Sequence, residues 1–145
     1  GLRFFTVYGP WGRPDMSYFK FLISNKKKKS IEIYNFGKHQ RSFTYIDDLI
    51  SNMFKILSFY KRIKKKGECS VFNLGNEKTI KLMDFLKTLE KVTNIKLKKK
   101  FVKKQMGDVE KTEANLMIEK KKFNLKFDHD LKTRLKKFYY WFKSY

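Results

Sequence analysis

Apolar and polar positions along the chain form short hydrophobic runs interleaved with helical stripes, punctuated by Gly, Pro and Asp. Leu2 to Val7 (LRFFTV) is apolar, aromatic and β-branched and predicts a buried strand. Tyr8 to Pro14 (YGPWGRP) gathers both prolines of the chain and two of its glycines, so the strand stops in a structured loop. Asp15 is placed to N-cap a helix through Phe19 and Ile23. Ile31 to Tyr34 and Ser42 to Tyr45 read as short strands around a turn at Gly37. Asp47 or Asp48 starts the next helix, with Ile46, Ile50, Met53, Phe54 and Leu57 on one face. Val71 to Leu74 is a strand closed by Gly75, and Leu82 to Val92 is an amphipathic helix with apolar residues at 82, 85, 86, 89 and 92. Ile95 to Val102 alternates around lysines, as an edge strand does. Asn115 caps a short helix, and Leu131 to Phe142 forms the last one, striped by Leu131, Leu135, Phe138 and Trp141 or Phe142.

Strands and helices are mixed, without internal repeat or low-complexity linker, and with too few βαβ units for a doubly wound sheet. The fold class expected is α/β, a small α+β lobe attached to something larger. At 145 residues there is room for one domain. The chain opens at Gly1, already inside an apolar run, which reads as a piece cut from a longer protein.

Charge adds less than its size suggests. Lys and Arg number 35 against 14 Asp and Glu, a net +21, which points first to nucleic acid or an anionic surface. Only Arg3, Arg13, Arg41, Arg62 and Arg134 are arginines, and the lysines gather in runs at 26–29, 64–66, 98–100 and 120–122, where elements end. Few Ala and Pro beside many Lys, Phe, Ile, Asn and Tyr is the composition of an AT-biased coding sequence, so the balance is read mainly as compositional. Cys69 stands alone, which excludes an internal disulfide and fits a reducing, cytoplasmic setting. His39 and His129 lack cysteine or acidic partners at ligand spacing, so no zinc site is expected. No apolar run reaches the length of a membrane span.

Three segments carry chemistry: GLRFFTVYGPWGRPDM (Gly1 to Met16), GKHQRSFTYIDDL (Gly37 to Leu49) and QMGDVEKTEA (Gln105 to Ala114). In order and spacing they resemble the C-terminal half of the extended short-chain dehydrogenases, the NAD-dependent epimerase/dehydratase family, and within it the UDP-glucuronate 4-epimerases. The resemblance covers essentially the whole chain. It implies that residues 1–145 are the nucleotide-sugar-binding C-terminal domain of an extended Rossmann-type epimerase, without the glycine-rich NAD-binding part.

By that resemblance Phe5 lies near the cofactor and Thr6 hydrogen-bonds the sugar. Arg13 grips the uronate carboxylate, for which a planar guanidinium is suited because it meets a carboxylate through two parallel hydrogen bonds. Tyr34 packs by the uracil, Arg41 takes the diphosphate, and Asp108 stands near the ribose. Gln105 occupies a place where some relatives carry a second arginine, and gives a neutral, weaker contact. Asp47 and Asp48 are read as helix N-terminal residues favoured by the dipole, not as an acid–base pair.

The implied reaction is transient oxidation at C4 of the sugar, which needs NAD, a glycine-rich phosphate turn and a Tyr-x-x-x-Lys pair. The glycines at 1, 9, 12, 37, 67, 75 and 107 form no such turn. Tyr-x-x-x-Lys occurs as Tyr34 with Lys38, Tyr60 with Lys64 and Tyr139 with Lys143, a number that chance alone supplies at about two, and all three are rejected. The catalytic pair is expected upstream, so the parent is read as an isomerase and this chain as inert alone. Expected partners are a UDP-sugar, the N-terminal NAD-binding domain, across an apolar face, and a second copy in a homodimer, with neither membrane nor nucleic acid. Rival readings are a sugar-nucleotide decarboxylase, dehydratase or UDP-glucose 4-epimerase of the same family, or a non-catalytic basic module that binds polyanions.

Overall fold

In the computed structural model, which describes residues 1–62, 67, 69–128 and 130–145, the opening apolar run divides in two. β1 (Leu2–Phe4) pairs in parallel with β6 (Phe72–Leu74), and β2 (Val7–Tyr8) pairs in parallel with β5 (Thr44–Tyr45). The two halves bond to different partners, so the chain bends at Phe5 and Thr6 where a single strand was expected. Nor is the run buried throughout: β1 has a partner on one side only among the described residues, and Phe4 is 53% exposed.

α1 (Ser17–Lys26) buries Tyr18, Phe19, Phe21 and Leu22. Its N-cap position is held by Met16 without a side-chain cap, because Asp15, expected there, is taken by Arg13. β3 (Ile31–Ile33) pairs in parallel with β8 (Lys99–Phe101), which is an edge strand as its lysines suggested, though shorter. Tyr34 does not end the strand. It opens a 3-10 turn, Tyr34–Gly37, in which Asn35 and Phe36 are both left-handed at φ 49° and 51°. Residues with a Cβ resist that conformation. Gly37 completes the turn at φ 79°, and a Cβ there would stand 2.7 Å from the Met83 sulfur.

β4 (Gln40–Ser42) is the centre of a three-stranded sheet, antiparallel to β7 (Thr79–Lys81) and parallel to β9 (Lys111–Thr112). Ser42 to Tyr45 therefore belongs to two sheets, the chain switching partners at Phe43. Arg41 sits in a central strand and not at an edge. β7 escaped the sequence pattern because its three residues are too few to show alternation.

α2 (Ile46–Arg62) has Asp47 and Asp48 in its first turn, as expected. The face it buries is corrected in part: Ile46 and Met53 of the expected stripe pack on the core, but Leu49, Asn52 and Ile56 are the buried residues, while Ile50, Phe54 and Leu57 are exposed. The apolar residues of this helix form one arc wider than its contact with the core, so spacing alone could not choose which edge of the arc is buried. α3 (Leu82–Thr93) buries Phe85, Leu86 and Leu89, and α5 (Leu131–Ser144) buries Leu135, Phe138 and Phe142, both on the expected faces. Asp130 caps α5, its carboxylate accepting from the Thr133 amide at 3.0 Å. α4 (Met117–Phe123) starts one residue later than Asn115 would cap it; Leu116 is the N-cap, and Asn115 Oδ1 still accepts from the Met117 amide at 3.2 Å.

The main core is aromatic and joins α1, α3 and α5 to the strands. Phe43 stacks on Phe85 at 4.3 Å, and Tyr18 meets Phe138 edge-on at 5.0 Å. Burial pushes the Tyr18 hydroxyl up to about 12, so it remains a neutral donor within reach of the Val7 carbonyl. A smaller cluster packs Leu49 and Ile56 of α2 on Phe72 and Leu74 of β6, with Phe123 and Leu125 closing it. No helix among the described residues is long and apolar enough to cross a membrane.

Candidate functional site

The β4 strand presents alternate residues to one side, and there Arg41 enters a cavity of about 290 Å³ that is also lined by Thr6, Tyr34, His39 and Asp108. Besides β4, the walls come from the bend after β1, the start of α1 with Lys20 and Phe21, β3 with Glu32, the turn at Tyr34, and the loop before β9. Phe43 and Leu82 add apolar surface to its lining. Four of the seven residues singled out in the sequence, Thr6, Tyr34, Arg41 and Asp108, are thus brought together although they span more than a hundred positions.

Arg41 organises the site. Nη1 donates to the carbonyls of Gln40 and Glu110, both at 2.9 Å, and Nη2 donates to Asp108 Oδ1 at 2.9 Å. A guanidinium has about five N–H donors, so Nε–H and one Nη2–H keep no partner among the described residues. The side chain is 21% exposed, so its charge is held rigidly and reaches the cavity without full solvent screening. Two fixed, free donors on a cation are a suitable receptor for an anionic oxygen.

Asp108 lies between two groups: Arg41 on Oδ1 and His39, whose Nε2 is 2.9 Å from Oδ2. His39 was dismissed in the sequence as a zinc ligand, and its true position was not foreseen. The signal was available, since residues 39 and 41 flank one strand position and must share a face. Tyr34 donates its hydroxyl to Glu32 Oε2 at 2.7 Å, and that hydrogen bond raises the phenol above its ordinary value. Glu32 and Lys20 are further site residues the sequence did not mark.

Three expected residues stand elsewhere. Arg13 lines a neighbouring cavity of about 250 Å³ under the Gly9–Gly12 loop, which shares Met16 with the first. It forms a bidentate pair with Asp15, Nε to Oδ1 at 3.0 Å and Nη2 to Oδ2 at 2.5 Å. Hydrogen bonding to Asp15 raises the guanidinium, and the same bond lowers the carboxyl. Asp15 itself lines the first cavity, so the pair stands between the two. Gln105 is exposed in the loop before Asp108, with its carbonyl accepting from the Asp108 amide at 3.3 Å. Phe5 lies flat against Gly75, where an added Cβ would stand 2.7 Å from the Phe5 Cβ.

The Tyr-x-x-x-Lys spacings supply no acid–base pair here. Tyr34 and Lys38 bracket the 3-10 turn. Tyr139 and Lys143 are on α5, away from the cavity, with the ammonium 6.0 Å from the ring centre. Lys64, the partner of Tyr60, lies outside the described residues, as do Lys65, Lys66 and His129. No cluster of three or more His, Cys, Asp or Glu able to hold a metal occurs among the described residues.

Known proteins share this arrangement of chain. The profile of the NAD dependent epimerase/dehydratase family matches residues 1–75. UDP-glucuronate 4-epimerase 4 of Arabidopsis thaliana is 43% identical over 156 residues, covering 100% of this chain and 36% of that protein. An uncharacterized protein of Methanocaldococcus jannaschii is 46% identical over 142 residues, covering 98% of this chain and 42% of its own length. Among solved structures, UDP-glucuronic acid 4-epimerase from Bacillus cereus, in complex with UDP-glucuronic acid and NAD, superposes with a TM-score of 0.86 at 30% identity, over 99% of this chain and 44% of that one. The chain therefore spans about two fifths of the length of these relatives.

Proposed function

This chain belongs to the NAD dependent epimerase/dehydratase family, and from that premise we propose that it is the nucleotide-sugar-binding part of an NAD-dependent isomerase that interconverts UDP-glucuronate and UDP-galacturonate at C4. The observation that carries the reading is the convergence of Thr6, Tyr34, Arg41 and Asp108 on one cavity, with two N–H donors of Arg41 left free among the described residues. In this assignment those donors take the diphosphate, Asp108 faces the ribose, and Tyr34 borders the uracil. Gln105 adds a neutral contact from the rim. Thr6, at the bend between β1 and β2, hydrogen-bonds the sugar.

Arg13 is assigned to the uronate carboxylate. Its present partner is a carboxylate of the same geometry, so Asp15 acts as a stand-in for the sugar's acid group. Both side chains are well exposed, which keeps that pair weak and easily exchanged. The sugar's carboxylate replaces Asp15 at little cost, and the exchange turns Arg13 toward the first cavity.

NAD fits this chain at its edge only. Phe5, packed on Gly75 at the end of the β1–β6 pair, would border the nicotinamide, while the phosphates need a glycine-rich turn that this sequence lacks. When bound, the cofactor supplies hydride acceptance and return at C4. The work of this chain is to hold the nucleotide and orient the sugar, and the proton-transferring Tyr and Lys belong to another segment. We assign Phe4, Val71, Ile50, Phe54 and Leu57, all exposed, to the face that meets the NAD-binding part. A homodimer and a cytoplasmic setting complete the proposal.

In a full-length protein carrying this segment, Arg13→Ala should lower turnover of UDP-glucuronate far more than affinity for UDP. An equal loss on UDP-glucose would remove the carboxylate role and with it the uronate assignment.

A further inference from the structure

His39 has no part in the assignments above, yet it is the most deeply buried polar group of the cavity. Its residue exposure is 5%, and it is fixed between β4 and the start of α3, where its carbonyl accepts from the Leu82 amide at 2.8 Å. Nε2 is 2.9 Å from Asp108 Oδ2, but no aligned hydrogen bond joins them, and Nε2 has no other partner among the described residues. An ionised carboxylate only accepts. Placing the imidazole proton on Nε2 makes that approach attractive, whereas a bare Nε2 would face a carboxylate it cannot bond. A buried N–H left without an aligned acceptor is costly, and a small rotation of the Asp108 carboxylate would satisfy it.

That rotation has a consequence for the ligand. Oδ1 is tied to Arg41, so aligning Oδ2 with His39 fixes the plane of the carboxylate at both ends. Each oxygen keeps a second lone pair, and Asp108 lines the cavity, so the locked carboxylate can offer both to a ligand there. Such a pair of acceptors matches two hydroxyls on adjacent carbons and matches a single hydroxyl poorly.

We propose that His39 is a positioning residue that locks the Asp108 carboxylate for recognition of a vicinal diol, making the site selective for ribonucleotides over 2′-deoxyribonucleotides. This deepens the nucleotide-sugar reading and rests on it. His39 touches no ligand; it acts through Asp108, and its own unmade bond closes as the diol binds.

The test uses the 145-residue chain, with UDP, 2′-deoxy-UDP and inorganic pyrophosphate titrated calorimetrically up to millimolar concentration. For the unmodified chain, UDP should bind roughly tenfold or more tighter than 2′-deoxy-UDP, as expected when one hydrogen bond to a charged group is lost. His39→Ala should bring that ratio within twofold while pyrophosphate affinity stays unchanged, and His39→Gln, which keeps a donor, should restore most of it. Should His39→Ala fail to fold, the readout is the Nε2 resonance of labelled His39 in a His129→Gln background. It should shift with UDP and stay still with 2′-deoxy-UDP or pyrophosphate. If UDP and pyrophosphate both fail to bind, or Arg41→Ala leaves UDP affinity unchanged, the nucleotide reading falls and the diol lock with it. If UDP binds through Arg41 but the ribo-to-deoxy ratio survives in His39→Ala, or the Nε2 resonance ignores the 2′-hydroxyl, only the diol lock is overturned.

Discussion

Arg134 on α5 is the cation whose removal should cost the fold most. Its Nη2 donates to Asp48 Oδ1 at 2.8 Å and to Asp128 Oδ2 at 3.3 Å, and its guanidinium lies 4.6 Å from the centre of the Tyr45 ring. The Arg134 and Asp48 side chains are 14% and 12% exposed, so this pair joins α5 to the first turn of α2 largely shielded from water. Burial pushes the Asp48 carboxyl above its ordinary value, and the Arg134 charge pulls it back. Arg134→Met keeps an unbranched apolar stem but removes the guanidinium from Tyr45 and leaves Asp48 without its cation. Removing one partner of a buried pair costs about 3–5 kcal/mol. Methionine also deletes the Nε–H, which is buried without a partner among the described residues, so the lower end applies. A loss of about 3 kcal/mol lowers the melting temperature of a chain this size by roughly 10 °C. The sign with pH follows from Asp48. Its folded-state carboxyl, raised further in the variant, favours the protonated form, so stability is present at low pH and lost as pH rises through that value. Thermal unfolding followed by far-ultraviolet circular dichroism should therefore show a larger deficit at pH 7 than at pH 5, and Arg134→Met combined with Asp48→Asn should recover most of it. A deficit under about 1 kcal/mol at pH 7, or one equal at both pH values, would refute the reasoning.

Arg41→Lys should weaken UDP binding by roughly tenfold or more, because an ammonium cannot hold Asp108 and the 110 carbonyl and still offer two donors to an anion; calorimetric titration measures it. Phe138→Ala should destabilise by about 3–5 kcal/mol, since the ring is fully buried against Tyr18, Phe19 and Trp141, and urea unfolding reads the loss. At Glu90, burial pushes the carboxyl up, but hydrogen bonds from Lys99 Nζ and the Leu97 amide outweigh it and hold the group below its ordinary value. Its stabilising share is present above the unfolded carboxyl range and lost as pH falls through the folded value. Glu90→Gln should thus be less stable than the unmodified chain at neutral pH and should close the gap on acidification, which melting curves at several pH values would show.

Local pattern was enough for the helices whose apolar residues lie on a single stripe. Leu82 to Val92 and Leu131 to Phe142 were legible because polar residues separate their faces, and the buried positions are the expected ones. The motifs around Arg41 and Asp108 also marked, before any coordinates, two segments that the fold brings to one cavity. Pattern failed wherever a choice lay between partners. The apolar arc of α2 is wider than the core it meets, and only the β6 strand, Phe123 and Leu125 decide that its Leu49 and Ile56 edge turns inward. Asp15 had the right chemistry for an N-cap, yet a guanidinium two residues away binds it better than backbone amides can.

By itself, then, the sequence determined where guanidinium and carboxylate groups fall along the chain and which stripes must be dry, because residue type and spacing are properties of the chain. Tertiary structure alone decided where Arg13 and Arg41 stand, in adjoining cavities, and that His39 lies buried beside Asp108. Those outcomes depend on strands from distant segments choosing partners. Pairing of that kind is a matter of three-dimensional competition for hydrogen bonds and apolar cover, which no local window contains.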